Sequence, residues 1–235
     1  MIDLHDPQQN KLLMTLPITD YERIFMHLEP VQLIPGEILF HSGEKLEYVY
    51  FPMDCFISLL YDTENGGTTE IAAIGNDGVV GVAIFMSGAA MPYRAMVQSA
   101  GHAYRMPQNL FMQEFSRYGS FSHKLLNYTQ VLITQAAQMA VCNRFHNVDQ
   151  QLCRFLLLSF GWLPTNELAI TQELISNMLG VRREGITEAA GKLQHAGLIH
   201  YRRGHITVLN REGLEARSCE CYQVVKSEFE RLLAA

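Results

Sequence analysis

The residue types best suited to read a nucleic acid are concentrated near the C-terminus. Arginine hydrogen-bonds guanine O6 and N7, glutamate accepts a hydrogen bond from cytosine N4, and threonine contacts the thymine methyl group. Such side chains, placed at the start of a helix, are expected to enter the major groove. The candidate DNA-contacting residues are Thr171, Arg182, Arg183, Glu184, Thr187, Glu188, Arg202 and Arg203.

Two short predicted helices position these side chains. Thr171 is a candidate N-cap for a helix over 172–179, and Gly180 ends it in the left-handed conformation that a tight turn needs. A second helix is predicted over 182–196, closed by Gly197. The two form a helix-turn-helix, and the arginines start its second helix.

A predicted hairpin over 198–209 follows and carries the second arginine pair at its tip. We expect Arg202 and Arg203 to contact phosphates, which positions a protein on DNA without reading sequence. An arrangement of helix-turn-helix and wing predicts a DNA-binding module rather than a plain helical hairpin. Two alternatives remain: a sensor or adaptor that binds only proteins, and an enzyme. The chain has no P-loop, GxSxG or HExxH motif, so we predict no catalytic residue.

Charge and cysteine distribution set further limits. The formal net charge is −6, and the acidic excess lies in residues 1–147, so the C-terminal part is neutral and can present a basic face. The five cysteines include no CxxC pair. We predict free buried thiols in a reducing compartment and no metal site, with a redox or metal role for Cys219 and Cys221 as the alternative. Without a signal peptide or a long apolar run, the predicted location is cytoplasmic, with no membrane partner.

The N-terminal half is predicted to be rich in β-strands. A helix over 19–29, capped by Thr19 and ended by Pro30, precedes short β-type runs separated by glycine turns over 31–107. Asn65-Gly66 is a strong hairpin signal. This pattern indicates a sandwich or barrel and, with the C-terminal helices, an α+β fold.

A long uninterrupted helix links the two halves. Residues 120–145 contain no glycine or proline, and apolar side chains recur there at heptad spacing, which is typical of a dimerisation helix. Asn147 is the predicted N-cap of a helix over 148–160, and a last helix is predicted over 211–233. The predicted domains are 1–118, 119–147 and 148–235. The candidate dimerisation residues are Leu125, Tyr128, Leu132, Gln135, Met139 and Cys142.

The order of these parts resembles the superfamily of the catabolite activator protein and the fumarate–nitrate regulator (Crp/Fnr). The most specific match runs from Ile170 through Arg183-Glu184 to Ile199, which is similar to the family's helix-turn-helix. Residues 78–97 resemble its phosphate-binding cassette, with Arg94 in the place of the phosphate-contacting arginine. The resemblance implies a cyclic-nucleotide-binding-like β-roll (a jelly roll), a dimerisation helix and a C-terminal winged helix-turn-helix. It also implies double-stranded DNA, RNA polymerase and a second copy of the chain as partners.

The resemblance places an effector site in the β-roll at Gly81, Val82, Ala83, Arg94 and Ala95. Family members that bind cyclic AMP have glutamate at the position of Val82 and serine or threonine at that of Ala95, so we expect a different anionic small molecule, or none. No cysteine precedes Cys55, which argues against the iron–sulfur cluster of the oxygen-sensing members. Glu188 replaces a family arginine, so the usual half-site does not carry over.

Overall fold

The computed structural model describes residues 6–86 and 90–233. In its N-terminal half, two antiparallel sheets face each other, with strand orders β1-β7-β3 and β2-β6-β4-β5. The strands are β1 (Glu29–Leu33), β2 (Ile38–Phe40), β3 (Tyr48–Pro52), β4 (Ile57–Asp62), β5 (Thr68–Ile74), β6 (Arg94–Val97) and β7 (Gly101–Pro107). β4 and β5 pair from Ile57↔Ile74 to Asp62↔Thr68, and Gly66 in their connecting turn has a φ of 80°. The hairpin predicted from Asn65-Gly66 is therefore confirmed.

Helices cover this β-domain and connect it to the C-terminal module. A 3₁₀ turn (Pro7–Gln9) precedes the first of them. They are α1 (Lys11–Met14), α2 (Ile18–Phe25), α3 (Ala83–Met86), α4 (Gln108–Phe115), α5 (Ser120–Phe145), α6 (Val148–Trp162), α7 (Gln172–Leu179), α8 (Arg183–His195), α9 (Arg211–Arg217) and α10 (Glu220–Leu233). None of the described helices is long and apolar enough to cross a bilayer.

The junction between α5 and α6 forms as the sequence predicts. The backbone leaves the helical conformation and becomes extended at His146. The Asn147 side chain then accepts a hydrogen bond from the Gln150 backbone amide at 3.0 Å. The Gln150 side chain accepts one from the Asn147 amide in return, which completes a capping box. Asn147 is thus the confirmed N-cap of α6, although α6 continues through Gly161 to Trp162 rather than ending at residue 160.

The C-terminal module has its own small sheet, in the order β8-β10-β9. Its strands are β8 (Glu167–Ala169), β9 (Ile199–Arg202) and β10 (His205–Val208). Apolar side chains of α6, α7, α8 and this sheet form one buried cluster. The helix-turn-helix and the wing are therefore packed on a shared core.

Proline 30 does not end a helix, contrary to our prediction. The first helix of this region, α2, follows Pro17 without a side-chain cap and ends at Phe25, so Thr19 is not its N-cap. Pro30 lies in β1 and pairs with Tyr104 of β7. β1 is an edge strand and pairs with a neighbour on one side only. Proline is tolerated there because no second strand needs the amide N–H that it lacks.

The predicted last helix is two helices. It breaks at Ser218, whose backbone is extended, and α10 then runs back along α5. Lys124 Nζ and Asn127 Nδ2 each donate a hydrogen bond at 3.1 Å to the carbonyls of Leu233 and Leu232, respectively. Val225, Phe229 and Leu233 of α10 belong to the core of the β-domain, whereas Tyr222 belongs to the winged-helix core. Residues 220–233, which we predicted as part of the winged-helix domain 148–235, therefore pack against both cores.

The predicted dimerisation stripe is buried inside the chain itself. The β-domain and α10 cover this face of α5, so it cannot form a seam with a second copy. Gln135, for example, donates a hydrogen bond to the Ala73 carbonyl at 3.1 Å. The prediction is therefore wrong for Leu125, Tyr128, Leu132, Gln135, Met139 and Cys142, all of which are buried.

The two halves are also joined directly through Trp162. Its ring packs against Phe56 with centroids 5.8 Å apart, and its Nε1 donates a hydrogen bond to Asp77 Oδ2 at 2.8 Å. A Cβ atom at Gly75 would lie 1.9 Å from Trp162 Cγ, so only glycine allows this approach. The contact holds the C-terminal end of α6 against the β-domain.

Candidate nucleic-acid interface

The turn between α7 and α8 has the geometry expected of a helix-turn-helix. Thr171 Oγ1 accepts a hydrogen bond from the Leu174 amide at 3.1 Å and caps α7. Gly180 ends α7 with a φ of 65°, in the left-handed region. On the inner side, Ile175 of α7 and Ile186 of α8 are buried in the same cluster, which leaves the opposite face of α8 to solvent.

The exposed face of α8 carries the residues that we selected for base contacts. Arg182, Arg183, Glu184, Thr187 and Glu188 are all exposed. Within the part of the chain that the structure describes, neither the Arg182 nor the Arg183 side chain makes a hydrogen bond or ion pair, although both backbone carbonyls accept hydrogen bonds. Their guanidinium groups are thus available to an anionic partner.

Two of the candidate base-reading side chains are already engaged by the protein. Thr187 Oγ1 donates a hydrogen bond to Gln172 Oε1 at 2.7 Å. Lys192 Nζ lies 2.9 Å from Glu188 Oε1 and 3.3 Å from Asp149 Oδ2. Lys192 therefore partly neutralises Glu188, which lowers the repulsion that this carboxylate would exert on phosphates.

The wing presents its arginines at a tight turn. Arg202 pairs with His205 across the hairpin, and the two residues between them, Arg203 and Gly204, have φ values of 52° and 81°. Positive φ at both central residues is the geometry of a two-residue hairpin turn that matches strand twist. The Arg202 and Arg203 side chains are exposed and have no hydrogen-bond or ion-pair partner among the described residues, whereas His205 Nδ1 lies 2.8 Å from Glu167 Oε1. Only the arginines of this tip are therefore free to contact phosphates.

In the β-domain, Arg94 is not free for an anion as we expected. Its Nε and Nη2 lie 2.7 Å and 3.1 Å from the two carboxylate oxygens of Asp62, a bidentate pair. This pairing holds the pKa of Asp62 below its usual range. A ligand anion would have to displace Asp62, so the arginine supplies no unpaired charge.

The rest of the predicted effector site is closely packed. Gly81 adopts a φ of 115° and packs near Val49, while Val82, Ala83 and Ala95 are buried. Residues 87–89 of the predicted cassette lie outside the described residues. A cavity of about 580 Å³ opens elsewhere in the β-domain. Its lining includes Leu39, Phe40, Glu44, Lys45, Tyr48, Tyr50 and Arg105.

Comparison with known proteins identifies both halves of the chain. Residues 30–118 match the cyclic nucleotide-binding domain, and residues 150–217 match the Crp-like helix-turn-helix domain. The chain belongs to the Crp/Fnr family of transcription regulators. The resemblance stated from the sequence is thereby confirmed, and so are the predicted fold class and the DNA-binding helix-turn-helix.

The similarity of this Crp/Fnr regulator to known proteins covers most of its length. It is 23% identical over 193 residues to the global nitrogen regulator of Synechococcus elongatus, a match that covers 78% of this chain and 86% of that protein. FixK2 from Bradyrhizobium japonicum has a similar fold, with a TM-score of 0.69, 17% identity, and coverage of 82% of this chain and 98% of that one. A Crp/Fnr-family regulator from Eubacterium rectale has a TM-score of 0.63 and 21% identity, with coverage of 88% and 96%. Family and fold are those of transcription regulators, which are not enzymes.

Sequence reasoning about this Crp/Fnr chain missed one group of side chains. Cys142, His146, Cys219 and Cys221 meet at the junction of α5 and α10, although we had expected separate thiols. Cys142 and Cys219 share a hydrogen bond with their sulfur atoms 3.6 Å apart, which lowers the pKa of Cys219 and raises that of Cys142. The signals in the sequence were a Cys and a His four residues apart and a C-x-C pair. Nothing in the sequence placed the two pairs together.

Proposed function

We propose that two copies of this regulator bind one pseudo-palindromic DNA site, with each α8 in a major groove. The observation that carries the proposal is the set of four exposed arginine side chains that have no partner among residues 6–86 and 90–233, all on the winged module of an acidic chain: Arg182, Arg183, Arg202 and Arg203. In a dimer of this kind the half-sites lie about one helical turn, ~34 Å, apart. Arg182 and Arg183 are assigned to bases, and Arg202 and Arg203 to phosphates.

The proposed dimer seam is the face of α5 that the chain leaves uncovered. Leu126 and Ile133 are 53% and 55% exposed, and Ala140 follows at the same heptad spacing. Exposed apolar residues sustained along a long helix are typical of a coiled-coil contact. The seam therefore lies one residue away in register from the stripe that the sequence indicated. Its proposed members are Leu126, Ile133, Ala136, Ala137, Ala140 and Val141.

The proposed effector is a small molecule other than cyclic AMP, bound in the cavity beside Tyr48, Tyr50 and Arg105. Arg105 stacks 4.2 Å from the Tyr48 ring centroid, and its Nε lies 3.0 Å from Glu29 Oε2. The cavity thus offers aromatic surface and a partly neutralised cation. A ligand that raises the melting temperature of the wild type but not of Arg105→Ala supports this location. RNA polymerase is the proposed second protein partner, as the family resemblance implies.

Fluorescence anisotropy with labelled DNA tests the DNA interface. Arg182→Ala/Arg183→Ala should lose at least tenfold in affinity for a selected site, because a bidentate contact to one base is worth about 1–3 kcal/mol. The control is Arg231→Ala, which removes one positive charge, half of the change in the double variant, from α10, where that side chain is 63% exposed. Equal losses in the control and the double variant would show that total charge, rather than the winged module, determines binding.

A further inference from the structure

Four side chains with metal-binding atoms converge where α5 ends and α10 begins. Cys142 and His146 are four residues apart, about one helical turn, and therefore face the same way. Cys219 immediately precedes α10 and Cys221 is its second residue, so both lie on the other side of the junction. The three sulfur atoms and one ring nitrogen all lie within 4.8 Å of one another. The three thiols are buried, and the His146 side chain is 12% exposed.

Two of the six separations between these atoms match the edges of a tetrahedral metal site. A Zn²⁺ ion with bonds of about 2.3 Å to sulfur and about 2.05 Å to nitrogen holds two sulfurs ~3.8 Å apart and a sulfur and a nitrogen ~3.6 Å apart. Cys142 Sγ and Cys219 Sγ are separated by 3.6 Å. Cys221 Sγ and His146 Nδ1 are separated by 3.5 Å. The other separations are all within 4.8 Å, so closing the tetrahedron requires shifts of about 1 Å or less.

The surroundings of His146 also suit a ligand. Its Nδ1 faces Cys221, while its Nε2 lies 3.3 Å from Glu220 Oε2 on the other side of the ring. Metal-bound histidines commonly donate their second ring N–H to a carboxylate, which fixes the tautomer and the ring orientation. Gln151 Nε2 donates a hydrogen bond to the His146 carbonyl at 2.9 Å, which fixes the backbone as well.

We propose that Cys142, His146, Cys219 and Cys221 bind one thiophilic divalent ion, Zn²⁺ being the best fit, in a closed tetrahedral site. Three thiolates and an imidazole complete four-coordination and leave no open position, which is the arrangement of structural rather than catalytic zinc sites. A multi-iron cluster requires ligands spread over several metal atoms, so this compact group fits a single ion. The thiols release their protons to solvent when the ion binds.

Such an ion would fasten α10 to α5 immediately before the cap of α6. The far end of α10 is already held by the hydrogen bonds from Lys124 and Asn127. Metal binding at the near end would fix α10 at both ends and stiffen the segment from which the winged module extends. The site thus adds a metal-dependent brace to the regulator and does not depend on the proposed dimer seam or operator.

The direct test is the zinc content of the full chain, purified under reducing conditions without chelators. Mass spectrometry of the metals should find one zinc per chain in the wild type and in Cys55→Ser, which alters a buried thiol of the β-domain outside the cluster. Cys142→Ser and Cys221→Ser should retain less than about a tenth of that zinc. Equal zinc content in all four proteins would overturn the proposal.

A second measurement uses the wild type alone, in case the cysteine variants do not fold. After zinc removal, Co²⁺ should give the intense sulfur-to-metal charge-transfer band and the d–d bands of a tetrahedral thiolate site. Zn²⁺ should displace it with an apparent dissociation constant below about 50 nM, the weak end for structural zinc sites. An octahedral Co²⁺ spectrum, or a Cys142–Cys219 disulfide in protein never exposed to oxidant, would contradict the proposal.

Discussion

Replacing Ile133 with aspartate should separate the proposed dimer while leaving each chain folded. The side chain lies on the uncovered face of α5, 55% exposed in the single chain. Complete burial of an isoleucine stabilises by about 1.5–3 kcal/mol, so burial of the remaining half is worth roughly 0.8–1.6 kcal/mol per chain. Both copies lose this contact, which gives about 2–3 kcal/mol for the dimer. The dimer dissociation constant should therefore rise roughly 30- to 150-fold, and further because two carboxylates then face each other across the seam.

Sedimentation velocity over a concentration series measures this change. Ile34→Asp is the matched control, because that side chain is 60% exposed but lies in the β-domain, and it should leave the dissociation constant unchanged. Leu132→Asp, next to the seam but only 8% exposed, should lower the melting temperature sharply because it places a charge in the core. An Ile133→Asp protein that dimerises like the wild type would refute the assigned seam.

Three further predictions concern other parts of the chain. In urea titrations, Gly75→Ala should lower the free energy of unfolding by about 1–3 kcal/mol, because the added Cβ would overlap Trp162. The control Gly161→Ala has open space around it and should raise the free energy of unfolding by about 0.5–1 kcal/mol. Burial raises the pKa of Glu70 from 4.5 to about 6, so its stabilising contribution is present below pH 4.5 and lost as the pH rises through 6. Across the whole titration, from about pH 3.5 to about pH 7.5, the wild type should lose about 2 kcal/mol of unfolding free energy relative to Glu70→Gln, and parallel curves would contradict this. Arg202→Ala should weaken binding to every DNA sequence alike and reduce the slope of log affinity against log salt by about one, and an unchanged slope would exclude a phosphate contact.

Elements with strong local signals were predictable from the sequence. α5 has no internal glycine or proline, and Asn147 has the residue types of a capping box around it. Gly180 marks the turn of the helix-turn-helix because the chain needs a left-handed residue there. β8 lies outside the predicted β-type region over 31–107 and was missed because it is only three residues long. No glycine or proline marks the break at Ser218 between α9 and α10.

The correct face of α5 could not be read from the sequence, because two neighbouring heptad stripes are both apolar. Leu125 and Leu132 begin one stripe, and Leu126 and Ile133 begin the other. The choice between them depends on α10, which returns along α5 from about a hundred residues later and covers the first stripe. Only tertiary structure supplies that information.

The pairing of Arg94 and the proposed metal site likewise depend on contacts between residues that are distant in the sequence. The partner of Arg94 is Asp62, on the neighbouring strand β4, and local sequence cannot pair them. The four members of the proposed metal site come from two pairs on helices that are distant in the sequence. By contrast, the winged module is contiguous in the chain, and for this reason its exposed arginines could be selected before the structure was known.

Selection of bound DNA from a random pool, carried out in parallel with the wild type and Arg183→Ala, tests whether α8 reads the operator. We expect the wild type to enrich a twofold-symmetric motif with half-sites about one turn apart. Arg183→Ala should retain the motif but lose preference at one base pair in each half-site, since a single base contact is removed. Failure of the wild type to enrich any symmetric motif, or an identical motif from the variant, would contradict the assignment of α8 as the recognition helix.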